Sequence, residues 1–208
     1  MYHFTVPMAL MDYLPVFFFG VTAVLLLRDL YNKMFRGSYA LLASGCVNVF
    51  LAGFCKATWK LLYAANICDF VVLEKMFMPV NSLGLLFVGL SLVTMLIRKR
   101  KSAVFSVAPV AFTGSMPFII MMVVGLGGLC AGLSVISAKM KKSGLMVLFI
   151  LSFVFAMAMG YMSGQDSTQA WVNWAEQSIN FLSQLCLMLG AVALHRAGLK
   201  DWTWEDTK

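Results

Sequence analysis

Six stretches of this chain, residues 9–28, 38–61, 76–97, 117–138, 144–162 and 170–196, are apolar over lengths that can cross a bilayer. A crossing helix needs about 20 mostly apolar residues, and within lipid its backbone polar groups must all be satisfied internally. The stretches therefore commit the chain to an all-α, polytopic membrane fold. Of the 208 residues only 12% are charged and 61% are apolar, whereas a soluble domain carries about a quarter charged residues. The net charge of +7 is split into short basic clusters between apolar runs, which is a topology signal and implies no nucleic-acid partner. The first run has no basic segment before it and no small-residue cleavage site after it, so it reads as a retained helix and not as a signal peptide.

Charge also decides the number of crossings. The basic clusters are Arg28/Lys33/Arg36, Arg98 to Lys101, Lys139/Lys141/Lys142 and Arg196/Lys200. Positively charged loops stay on the cytoplasmic side, so an even number of crossings must separate the second cluster from the third. Residues 102–115, short and containing Pro109, are then a fourth span, with residues 113–117 as the external turn. The expectation is seven transmembrane helices in the cell membrane, with the N-terminal segment outside and the C-terminal segment inside. The alternative is six crossings, with 102–138 as one broken or re-entrant element. Asp69, Glu74 and the segment 164–169 fall in external loops; Trp171 and Trp174 would anchor the outer headgroups, and Trp202 and Trp204 the inner ones.

Seven spans with a short fourth suggest a duplication around a linker. Pro15 and Pro117 are 102 residues apart, as are Glu74 and Glu176. Lys33-Met34 matches Lys139-Met140, and Gly37 and Gly53 match Gly144 and Gly160 at an offset of 107. The chain would be one integral-membrane domain over 1–208: a three-helix unit at 9–97, the linker helix at 102–115, a parallel three-helix unit at 117–196 and a cytoplasmic tail at 197–208.

This organisation resembles the 3+1+3 heptahelical transporters, namely the SWEET and PQ-loop sugar or amino-acid carriers and the nicotinamide-riboside carriers. The likeness spans residues 9–196 and rests on Pro15, Pro117, Asn81 and Asn180. It implies alternating access between two three-helix units, prolines as hinges and asparagines in the substrate site. The chain has no Pro-Gln pair in span 1 or 5, no proline in span 2 or 6 and no vitamin-carrier tryptophan signature, so the resemblance implies a mechanism and leaves the substrate open.

The candidate site comes from polar residues inside the spans. Asn173, Glu176, Gln177, Asn180 and Gln184 fall on one face of the last helix at 100° per residue. Ser44, Asn48, Cys55 and Trp59 form a second stripe on span 2, beside Lys56, and span 3 adds Glu74, Asn81 and Ser82 below Pro79. Single polar residues in spans are commonly interhelical glue worth about 0.6 kcal/mol. Five on one face favour a cavity, because burying an unpartnered amide costs about 1 to 3 kcal/mol. Asn48, Trp59, Asn81, Ser82, Asn173, Gln177, Asn180 and Gln184 are the expected solute ligands. Lys56, one turn deeper than the snorkelling Lys60, needs a carboxylate, for which Glu74 and Glu176 are the candidates, either as a structural ion pair or for coupling.

Enzyme chemistry is not expected. His3 and His195 lie on opposite sides of the membrane, so no histidine-based zinc site can be built from them. The cysteines at 46, 55, 68, 130 and 186 form no CxxC pair, and the last span has no lysine for a retinal Schiff base. Gly125, Gly127, Gly128 and Gly132 lie mid-span, where helix packing explains them and a phosphate loop does not. No cofactor or metal is implied. The expected function is small-solute transport or solute binding, with membrane lipid and a small polar or amphipathic solute as partners. The alternatives are a heptahelical sensor or receptor, and a structural subunit whose stripe packs on a second copy or another membrane protein.

Overall fold

A computed structural model describes residues 5–97, 115–162 and 170–202, which are helical with no strand among them. A short helix α1 (Val6–Met11) leads through Asp12 into α2 (Tyr13–Leu30). There follow α3 (Arg36–Ala64), α4 (Val71–Ile97), α5 (Met116–Lys139), a 3-10 turn (Ser143–Leu145), α6 (Met146–Met162) and α7 (Ala170–Arg196). Taking α1 and α2 together, six of these are long and apolar enough to cross a membrane. All six lie where hydropathy puts them, though α4 starts five residues before the expected 76 because Glu74 and Lys75 occupy its first turns. The expected span at 102–115 lies outside the described residues.

The helices pack in chain order, α2 on α3 through to α6 on α7, and α7 closes the ring against α2. Their directions follow from the residues that meet. On α4 and α5, Leu85 faces Gly125 and Leu92 faces Gly132, so these neighbours are parallel. On α2 and α7, Phe18 meets Phe181 edge to face and Asp29 meets His195, so these too are parallel. α3 runs against α2 (Val16 on Gly53) and α4 (Gly45 on Val88), and α6 runs against α5 (Gly127 on Phe153) and α7 (Phe149 on Gly190). Hence α2, α4, α5 and α7 all begin at one end of the bundle, the starting end, and stop at the other, the finishing end. The chain leaves α4 at the finishing end and joins α5 at the starting end.

The two parallel seams are built differently. A β-carbon at Gly89 would lie 2.3 Å from the Gly125 carbonyl oxygen, and one at Gly125 would lie 2.4 Å from the Leu86 nitrogen. Only glycines let the α4 and α5 backbones approach this closely, which gives the mid-span glycines the packing role expected of them. The α2–α7 seam has no such glycine pair. Aromatic packing and polar contacts hold it instead.

The finishing half of the interior is built on a large apolar cluster, with Leu26, Leu30, Leu42, Leu92, Leu129, Leu133, Phe149, Leu187 and Leu194 buried together, and the buried Ser91, Ser137 and Ser152 are bonded to carbonyls or to another serine. The tail belongs to it. Gly198, at a φ of 88° that suits glycine, ends α7 and turns the chain back. Leu199 and Trp202 are then buried in the core, and Lys33 Nζ donates to the Trp202 carbonyl. The expectation that Trp202 sits at the headgroups is therefore corrected: the left-handed turn directs it inward. Trp204 lies outside the described residues. At the other end Trp171 and Trp174 are exposed, as an aromatic belt requires.

Candidate functional site

The starting half of the interior has the opposite character. On α7 the exposed face is Trp171, Trp174, Leu182 and Leu189, with Ser178 also exposed. Asn173 and Gln177 are buried, and Glu176, Asn180 and Gln184 are half-buried on the side between α2 and α6. Gln177 Nε2 donates to the Met8 carbonyl of α1 at 3.0 Å. The amide oxygens Oε1 of Gln177 and Gln184 are buried with no hydrogen-bond partner. Two unpaired acceptors in a span are costly, and they mark a space suited to a donor group.

From α4, Asn81 is buried and Glu74 half-buried on the side of the helix that lies between its contacts with α3 and α5. From α3, the lysines face the interior. Lys56 Nζ lies 4.1 Å from the centre of the Phe77 ring of α4, and the field on it comes from Lys60 and from the carboxylates of Asp12, Glu176 and Glu74. The ring quadrupole attracts the ammonium and offsets part of what its burial costs. Lys60 pairs with Asp12 Oδ2 at 2.5 Å, the two side chains being 14% and 11% exposed. Lys60 thus turns inward instead of snorkelling, because the break between α1 and α2 presents Asp12 to it.

The structure does not bring the whole expected set together. Packing of Gly45 on α4 and of Gly53 and Phe50 on α2 fixes the rotation of α3. That rotation puts the Ser44, Asn48, Cys55 and Trp59 stripe along the outer edge of the α3–α4 seam. Ser44 is exposed and bonds to the Leu41 carbonyl, while the Asn48 β-carbon is what a side chain at Gly84 would meet. Trp59 is buried, but its Nε1 donates to Asp69 Oδ1 at 3.0 Å, tying α3 to the loop that follows it. Ser82 is buried and donates to the Pro79 carbonyl within its own helix. Asn48, Trp59 and Ser82 are therefore engaged in packing or local bonds, whereas Lys56, Glu74, Asn81, Asn173, Glu176, Gln177, Asn180 and Gln184 are buried or half-buried between the starting end and the middle of the bundle.

Two acidic residues were missed from the sequence. Asp12, the partner of Lys60, was lost at the edge of the first apolar run; a break residue just before Tyr13-Leu14-Pro15 was the available signal. Asp29 lies at the far end of α2 with its carboxylate fully buried, 2.8 Å and 3.1 Å from His195 Nδ1 of α7. Standing beside Arg28, it looks like half of a surface charge pair, and only the direction of α7 brings a histidine to it. Comparison with family models, curated proteins and solved structures gives no match for this chain.

Proposed function

We propose that this protein is a small-solute transporter of the cell membrane that works by alternating access between two parallel three-helix units, α2–α4 and α5–α7. The observation that carries the reading is that the amide oxygens of Gln177 and Gln184 are buried without a hydrogen-bond partner in the part of the bundle that also holds Lys56, Glu74 and Glu176. A structural subunit would have no need of unpaired acceptors. Unpaired amide acceptors, a buried ammonium and three nearby carboxylates suit a small polar solute that presents donors and a charged group.

The seven-crossing topology belongs to the same proposal. The parallel direction of α4 and α5 supports a further crossing between them, the role the sequence gives to the short span at 102–115. Among the described residues the finishing end carries Arg28, Lys33, Arg36, Lys139, Lys141, Lys142, Arg196 and Lys200 against Asp29 and Asp201, while the starting end carries Asp12, Asp69, Glu74 and Glu176 with Lys56, Lys60 and Lys75. The finishing end is therefore cytoplasmic, and the polar half opens outward.

The register of the ring supports duplication. Partners across α4 and α5 differ by 36 to 40 in number, and those across α2 and α7 by 163 to 166. A two-fold rotation with the 102-residue offset of Pro15 and Pro117 carries the Leu85–Gly125 contact onto Leu187 and Ala23, a difference of 164. Each unit then moves as a body about the glycine-locked α4–α5 joint, and the α2–α7 seam parts.

Uptake into proteoliposomes, measured over a panel of radiolabelled amino acids, sugars and small amines, tests the function. At least one solute class should accumulate, and Asn180→Ala should reduce its uptake while leaving the protein folded. Binding with no flux of any bound solute would instead identify a receptor.

A further inference from the structure

Asp29 is the most deeply buried charged side chain at the cytoplasmic end, and it is not part of the polar interior described above. Its carboxylate is 0% exposed and both oxygens face Nδ1 of His195, whose side chain is 29% exposed. The pair spans the α2–α7 seam, which, unlike the α4–α5 seam, is not locked by glycines among the described residues. We propose that Asp29 and His195 form a proton-binding site that latches the cytoplasmic end of this seam, so that the sealed seam binds a proton more tightly than the parted one. This rests on the alternating-access reading and adds the ion that drives it.

The sign follows from what surrounds the ring. α2 stops at Leu30 and α7 at Arg196, so the carbonyl-rich, negative ends of two parallel helices meet here beside the carboxylate. A cation between them is favoured by both helix ends and by Asp29. Competing charges are turned away. Arg28 of α2, Arg36 of α3, Lys141 and Lys142 before the 3-10 turn, and Arg196, Lys200 and Asp201 after α7 are all exposed. Lys33 is bonded to the Trp202 carbonyl, Lys139 is half-buried at the end of α5, and Tyr39 of α3 packs edge to face with Tyr31. Parting α2 from α7 gives Asp29 to water and strips His195 of its counter-charge. The proton then leaves to the cytoplasm, and by linkage a proton bound at the ring holds the seam shut. Histidine suits the task because its charge changes in the physiological range.

Spin labels test the latch without any solute. In a variant lacking the five cysteines, Val24→Cys and Leu189→Cys put labels on exposed positions of α2 and α7 near the pair. Their separation is read by pulsed dipolar spectroscopy in nanodiscs between about pH 5 and about pH 8, the range in which histidine changes charge. The expected result is a shift to longer distances as pH rises, lost in Asp29→Asn and restored when the pair is exchanged as Asp29→His with His195→Asp. A separation that ignores pH, or one that responds equally in Asp29→Asn, overturns the proposal. A seam that opens with pH in a protein that moves no solute supports the latch and sinks transport; flux through a seam indifferent to pH sinks the latch alone.

Discussion

Replacing Gly125 by alanine tests the claim that α4 and α5 form the fixed joint between the two units. The new β-carbon would stand 2.4 Å from the Leu85 carbonyl carbon and from the Leu86 nitrogen, where ordinary contact begins at 3.4 Å. Both neighbours are backbone, so no rotamer change relieves the clash and the helices must part by about 1 Å. A gap of that size forfeits roughly a quarter to a half of each dispersion contact along the seam, and overpacking of this kind costs about 1 to 3 kcal/mol. Alanine returns at most about 1 kcal/mol of helix propensity, and less than that where the helix already exists in the membrane before the bundle forms. The expected net loss is about 1 to 2 kcal/mol. Gly127→Ala is the internal control, since its β-carbon meets only the Phe153 ring at 3.5 Å. Reversible unfolding by sodium dodecyl sulfate in mixed micelles measures both variants. If Gly125→Ala is as stable as Gly127→Ala, the backbones are not in contact and the joint is wrongly placed.

Three further outcomes follow from the same packing. Asp12→Asn leaves the Lys60 ammonium half-buried without its carboxylate and should cost about 1 to 3 kcal/mol in the same unfolding assay, an amount recovered in part by Lys60→Met in the double variant. Glu176→Gln should leave stability within about 0.5 kcal/mol and change the pH dependence of solute uptake, because it removes one of the carboxylates acting on Lys56 without changing side-chain shape. Thiol labelling of single cysteines placed at Arg100 and at Lys141 should find both sites on the cytoplasmic side; external labelling at Lys141 alone removes the crossing between them.

The helices were legible because hydropathy over 20 residues is a one-dimensional signal, and the α7 stripe was legible because five polar residues at helical spacing fix a face. The rotation of α3 was not. Its Ser44–Trp59 stripe is as regular as that of α7, yet Gly45 and Gly53 decide which side packs, and the stripe falls at a seam. Lys56, which stands beside that stripe in the sequence, faces the interior together with Lys60. The partners of Asp12 and Asp29 were hidden for a related reason: an ion pair 48 or 166 residues apart in the chain depends on which helices are neighbours and which way they run. Hydropathy placed the six described spans, and the glycines, read as packing residues but not assigned a partner, turned out to fix the parallel α4–α5 pair.

The most direct test of the account is two-sided access to position 180. Asn180→Cys in a background without the other cysteines puts one thiol in the polar interior, and an impermeant thiol reagent can be applied to intact cells or to inverted vesicles. Alternating access predicts labelling from outside, and labelling from the cytoplasmic side that rises several-fold when Asp29→Asn weakens the inner latch. A thiol that reacts from neither side would contradict the account, because the polar residues would then be the buried glue of a static bundle.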